Sequence, residues 1–180
     1  MLLNAAKCVR RAAWRFGIAR QGATVVEFAL ISPILIALII AVFETTIFLF
    51  AQANLQAAAV QSGRLFMTGQ AQNGNLSQSQ FVSQVCPMIQ ALFNCANLMV
   101  NVQAYSDFSS ANGSPPTLTY NGQGQVTNSW SYSPGAPGQV MVVQLIYQWP
   151  IVGGPLGYVL PNSANGSAEM MGVTAFRVEP

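Results

Sequence analysis

Residues Val25 to Phe50 form an apolar run of 26 residues, interrupted by Glu27, Ser32, Pro33 and Glu44. Nothing else in the chain limits its fold as strongly. As a helix the run is about 39 Å long, enough to cross a hydrocarbon layer of about 30 Å with some tilt. It exceeds the roughly 7–15 residues of a secretory signal core. The run predicts a single membrane-spanning helix, with the transmembrane part at about 25–50.

The charges around the run set its orientation. Lys7, Arg10, Arg11, Arg15 and Arg20 all precede residue 23, with no acid among them. Basic residues flanking a span stay on the cytoplasmic side, so the N-terminus is predicted in the cytoplasm and the remainder outside it. From Ala23 onward only Arg64 and Arg177 face Glu27, Glu44, Asp107, Glu169 and Glu179, a net charge of −3. A chain whose positive charge is confined to a short tail before a membrane segment is not built for nucleic acid. Charged residues make up 7% of the 180, and mean hydropathy is +0.38. That is far below the roughly 25% charge of an ordinary soluble domain. The length suits one small domain plus accessory segments.

A glutamate inside an apolar run needs a reason, because a charge at the bilayer centre costs about 2.5–3.5 kcal/mol on insertion scales. Glu27 and Glu44 are 17 residues apart, about 25 Å along a helix axis. Both can therefore lie near opposite interfaces, and Glu44 reads as an interfacial carboxylate. For Glu27 the local order is more specific. "RQGATVVEF" sets a basic leader, Gly22, four small or apolar residues and then Glu27-Phe28 ahead of the run.

This order resembles the cleavage region of type IV prepilins, and "GATVVEFALISPILIALIIAVFE" is similar to the TadE-like minor pilins (pseudopilins) of tight-adherence, or Tad, pili. The similarity continues through "SGRLFMTG" and the terminal "AFRVEP"; residues 72–138 carry no specific match. The resemblance implies that a membrane prepilin peptidase cuts between Gly22 and Ala23. It implies assembly roles for Glu27, Phe28, Pro33 and Glu44, with other Tad minor and major pilins and the inner-membrane assembly platform as partners. The implied location is the bacterial inner membrane, single-pass, with the C-terminal domain periplasmic or carried into the extracellular pilus. Cleavage would give Ala23 a new α-amino group, charged below a pKa of about 7.7–8.0. In a filament of packed apolar helices that amine needs an anion, because an unpaired buried charge costs several kcal/mol. By pilin-family logic the anion is Glu27 of a neighbouring subunit, which fixes axial register. Pro33 removes one backbone donor and can kink or loosen the helix.

Beyond the run, "AQANLQAAAVQSGRLFMTG" places Leu55, Ala58, Ala59, Ser62, Leu65 and Phe66 at spacings of three and four, and Gly69 is a natural stop. One helix is expected over 23–69. "QAQNGNLSQSQ" is a polar linker. A second amphipathic stretch then carries Phe81, Val85, Ile89, Leu92 and Phe93, with Ser77 or Ser79 as N-cap and Pro87 as a break or kink. Strands are predicted over 98–105, 139–150 and 172–179. The Ser-, Gly-, Asn- and Pro-rich stretch 106–138 reads as a flexible loop or a small hairpin. The expected class is α+β: a long N-terminal helix extended as a stalk, and a domain over 70–180 with about three antiparallel strands and a short helix. Tyr147 and Trp149 are assigned to its core.

Cys8 falls in the leader, 1–22, and would be lost with it. Cys86 and Cys95 remain as an even pair in an oxidising compartment, which predicts a disulfide. Closing that loop would add about 3 kcal/mol on the loop-entropy model; two separate buried thiols are the alternative.

An enzyme is not indicated. The chain has no His and a single Asp, and it carries no GxSxG, HExxH, P-loop or CxxC pattern. Cys86 has no histidine base to activate it, and no cofactor motif is present. Two classes remain: a structural assembly protein of the pilus kind, and an uncleaved single-pass anchor carrying an extracytoplasmic binding module. Gly22 and Glu27 separate them, since a plain anchor needs neither.

Overall fold

The computed structural model describes residues 22–151, 163–164 and 166–179; the basic leader and Cys8 lie outside the described residues. The chain divides into two units, Met1–Val42 and Phe43–Pro180.

In the first unit the described chain is helix. Helix α1 begins at Ala23 and runs to Met67 in the second unit, passing Pro33 without interruption. Residues 25–42 leave almost every large apolar side chain open, including Phe28, Leu30, Ile34 and Leu38, and only the small Ala37 is buried.

In the second unit α1 changes character. Ala51, Leu55, Ala58, Ala59, Ser62 and Phe66 are buried, a stripe at helical spacing that faces the domain. The helix ends as the sequence predicts, two residues short of the expected bound, with Arg64 in its last turn and Gly69 in the left-handed region at φ 71°. A single turn, α2 (Gln70–Asn73), leads to α3 (Gln78–Ile89). Ser77 caps α3 in a reciprocal box: its hydroxyl accepts from the Gln80 N–H at 3.3 Å, and Gln80 Oε1 accepts from the Ser77 N–H at 2.9 Å. Pro87 does not break α3. The bond that it removes belongs to the carbonyl of Ser83, an exposed residue one turn back, and the helix stops two residues later in any case.

The sheet has the order β1-β2-β4-β3, all antiparallel, from β1 (Met99–Tyr105), β2 (Val140–Pro150), β3 (Ser163–Ala164) and β4 (Ser167–Arg177). Three long strands match the expected number, and β3 adds a two-residue margin. The expectation of a last strand over 172–179 is corrected: β4 starts five residues earlier and runs straight through Gly172. That glycine had read as a boundary. It is instead the point where strand and helix meet, since a Cβ there would lie 2.5 Å from the Leu55 carbonyl oxygen. Only glycine allows that approach.

One sheet face carries Val100, Val102, Met141, Val143, Leu145, Tyr147 and Met170 against α1 and α3, forming the core with Phe66, Phe81, Val85 and Ile89. Phe93 stacks edge-on to Tyr147 at 4.9 Å and to Trp149 at 5.7 Å, placing both rings at the core as expected. The mostly apolar sequence of β2 fits its central place, because a strand covered on both faces loses the alternation of a half-exposed one. The second face is covered through polar contacts. Asn101 donates to Gln144 Oε1 at 2.7 Å, Gln144 donates to the Ser114 carbonyl at 3.0 Å, and the Ser131 N–H donates to Asn101 Oδ1 at 3.1 Å.

The stretch 106–138 is thus anchored across the sheet. It also contains the small hairpin, closed by Thr127 N–H to Thr119 O at 2.8 Å and Asn121 N–H to Gln125 O at 2.9 Å. Residues 131 and 133 bond Val102 along the outer side of β1, so the segment is a long loop with a small hairpin that lies on the sheet. Cys86 and Cys95 are joined by a disulfide with a Cα–Cα distance of 5.7 Å, tying the end of α3 to the turn before β1.

Candidate processing and assembly site

The residues singled out from the sequence lie at the start of α1. Gly22 precedes the first helical residue, Ala23, so the Gly22–Ala23 peptide bond sits at the helix boundary. A Cβ added at Gly22 would meet nothing within 4 Å, and the residue does not adopt a positive φ. Among the described residues there is therefore no packing or backbone reason for glycine at this position.

Five residues on, Glu27 is exposed, and it is the sole charged side chain between Gly22 and Val42. Phe28 beside it is 70% exposed. Pro33 is exposed too, one residue past the half-buried Ser32. Thr24–Met67 is the one helix among the described residues long and apolar enough to span a membrane, and very little of its most apolar stretch is covered by the chain itself. Glu44 belongs to the second unit and is half-buried. The structure thus groups Gly22, Glu27, Phe28 and Pro33 along a single helix on which the latter three are exposed.

Residues 22–64 match the family model described as TadE-like protein. Over this segment the chain is similar to TadE-like proteins. The TadE-like segment covers the helix start, the whole apolar run and most of the buried stripe that follows. No curated protein and no solved structure matches the chain.

In the second unit, two side chains that sequence reasoning passed over hold the TadE-like helix to the sheet. Gln56 donates to the Val173 carbonyl at 2.7 Å and accepts from the Val173 N–H at 2.9 Å, and Gln52 donates to the Met171 carbonyl at 2.7 Å. Gln56 thereby offers β4 the donor and acceptor that a neighbouring strand would. Their only sequence signal was polarity at half-buried helix positions. At the end of β4, the Glu179 N–H reaches the Met67 carbonyl at 3.1 Å.

Three titratable groups of the domain are shifted. Hydrogen bonds from Ser109, Ser110 and Ser106 hold Asp107 down at about 2 and lock a tight exposed turn. Burial pushes Tyr132 up to about 12, its hydroxyl being covered without a partner. Burial also raises Glu169, whose Oε1 is enclosed without a hydrogen bond. These groups lie apart in the chain, and among the described residues no three His, Cys, Asp or Glu side chains gather to hold a metal.

Proposed function

We propose that this chain is a pseudopilin, or minor pilin, of a Tad pilus, cut by a prepilin peptidase after Gly22 and acting in pilus assembly through its exposed N-terminal helix. The TadE-like match points to a Tad pilus-related protein. The observation that carries the finer reading is Gly22: a glycine at a helix boundary with open space around it and no backbone strain to relieve. Something outside the folded chain requires it, and a peptidase that reads a leader and a glycine is such a requirement. The apolar faces of residues 25–42 then serve twice, first against lipid and later against other pilin helices. Glu27 answers the amine that cleavage creates on a neighbouring subunit. The remainder of the protein stands on the extracytoplasmic side.

Intact mass of the membrane-extracted protein tests the cut, with a mature chain beginning at Ala23 as the expected result. Gly22→Leu should accumulate as the full-length precursor; because the position is open, that loss reads recognition rather than folding. A wild-type protein that retains Met1 to Gly22 would return the chain to an uncleaved membrane anchor. Glu27→Gln sharpens the second half of the proposal. It keeps shape, should insert and be cut normally, and leaves the new amine unpaired at a cost of about 3–5 kcal/mol. Crosslinking to other pilins and piliation should fall sharply at equal protein levels. Wild-type assembly by Glu27→Gln would remove the register role.

A further inference from the structure

Three Asn–Gly pairs lie among the described residues: Asn73–Gly74, Asn112–Gly113 and Asn121–Gly122. In such a pair the glycine nitrogen, with no Cβ to shield it, can attack the preceding side-chain amide. The chemistry is the same in all three, so the fold decides which reacts.

Asn73 ends α2, and the Gly74 N–H is engaged with the Gln70 carbonyl at 3.0 Å. Helical backbone and a bonded nitrogen both oppose attack. Asn121 is half-buried at the hairpin tip and clamped at both ends of its amide. Its Oδ1 accepts from the Gln123 N–H at 3.0 Å and the Gln125 N–H at 2.9 Å, while its Nδ2 donates to Gln125 Oε1 at 3.0 Å. Rotating the side chain onto Gly122 breaks that clamp.

Asn112 differs on every count. Asn112, Gly113 and Ser114 are all exposed, so water reaches the site. The Gly113 N–H makes no hydrogen bond to a described residue, and the Asn112 Nδ2 is likewise unbonded. A single bond, from the Ser114 N–H to Asn112 Oδ1 at 2.9 Å, folds the side chain forward over Gly113. It also places a donor on the oxygen that gains negative charge during attack.

We propose that Asn112 is a site of spontaneous deamidation in the folded protein. The Gly113 nitrogen bonds to the Asn112 Cγ, the Cγ–Nδ2 bond breaks, and the departing ammonia carries away the proton lost by Gly113. Water then opens the resulting succinimide at either carbonyl, giving aspartate or isoaspartate, with no redox change. Either product adds a negative charge to an exposed, nearly uncharged stretch. The isoaspartyl product also inserts a main-chain methylene beside Ser114, whose carbonyl holds the buried Gln144.

The test is peptide mapping by mass spectrometry of the full-length folded protein in detergent, held warm at mildly alkaline pH, with fragmentation that separates aspartate from isoaspartate. Asn112 should convert about tenfold faster than Asn73 or Asn121, the spread expected from attack geometry. In denaturant the three rates should converge. Gly113→Ala supplies the second arm. Gly113 has no positive φ, and a Cβ there would make an ordinary 3.7 Å contact with Val173, so this variant should melt like wild type while conversion at Asn112 is suppressed. Folded-state conversion of Asn121 or Asn73 at the rate of Asn112, or an undiminished rate at Asn112 in Gly113→Ala, overturns the proposal.

Discussion

The two halves of α1 are built from the same backbone and face opposite problems. From Val25 to Phe50 the helix carries Ile, Leu, Val and Phe on all sides and leaves nearly all of them open, Phe48 being half-buried. From Ala51 to Phe66 it carries mostly Ala, Gln, Ser and Gly, and one face is completely buried. Apolar content alone would assign these fates the other way round. What separates them is size and direction. Large side chains projecting all round need an apolar medium supplied from outside the chain. Small ones on one face let another backbone come close enough to pack.

The largest effect should come from spoiling that close approach. Gly172→Val drives a branched side chain into the Leu55 carbonyl, and overpacking against backbone should cost about 3 kcal/mol or more. Denaturant unfolding of the domain, followed by tryptophan fluorescence, should show the loss. The mirror experiment is Ile34→Ala, a truncation of a residue 66% exposed, which should leave domain unfolding within about 0.5 kcal/mol of wild type. Equal losses in the two variants would erase the contrast between the halves.

Gln56→Ala is the intermediate case. It leaves the Val173 N–H and C=O without their helix partner, an expected cost of about 1–3 kcal/mol. Hydrogen exchange at the Val173 amide should accelerate while that at Val143, in the centre of the sheet, changes only with global stability.

Much of this division was legible in advance. The run, its polar exceptions, the stop at Gly69 and the cap at Ser77 are local signals, read from neighbours a few residues apart. The clamp of Gln56 on Val173 spans 117 positions, and no local pattern announces it. Gly172 misled for the same reason: a glycine at an apparent strand start and a glycine under a crossing helix look alike until the helix is placed. Pro87 was read from its own chemistry, whereas the outcome depended on how near the helix end lay. At the candidate site the position is reversed. Gly22, Glu27 and Phe28 stand out plainly in the sequence because little in their own chain explains them, and the structure adds their openness rather than a partner.

The smallest expected effect concerns Glu169. Its Oε1 is enclosed without a partner, and burial raises its pKa, so the folded protein holds that proton more tightly than the unfolded chain. Stability should therefore decline slightly as pH rises from the ordinary glutamate value through the raised one, and stay lower above it. Glu169→Gln should remove that slope and stabilise the domain at neutral pH by a few tenths of a kcal/mol, discounted for the partial exposure of the group. Paired unfolding curves at mildly acidic and neutral pH measure it; an unchanged slope would show that the carboxylate is solvated.

The glutamines on the sheet margins have a consequence for crowding. Gln52 and Gln56 occupy the outer backbone of β4, and Gln78 bonds the Val100 carbonyl on the outer side of β1 at 3.1 Å. Unpaired strand edges are where like domains fuse into β-aggregates. Copies of this domain brought close together would meet margins whose backbone groups are in part already occupied by side-chain amides. Such neighbours can be pressed together without polymerising through those strand edges.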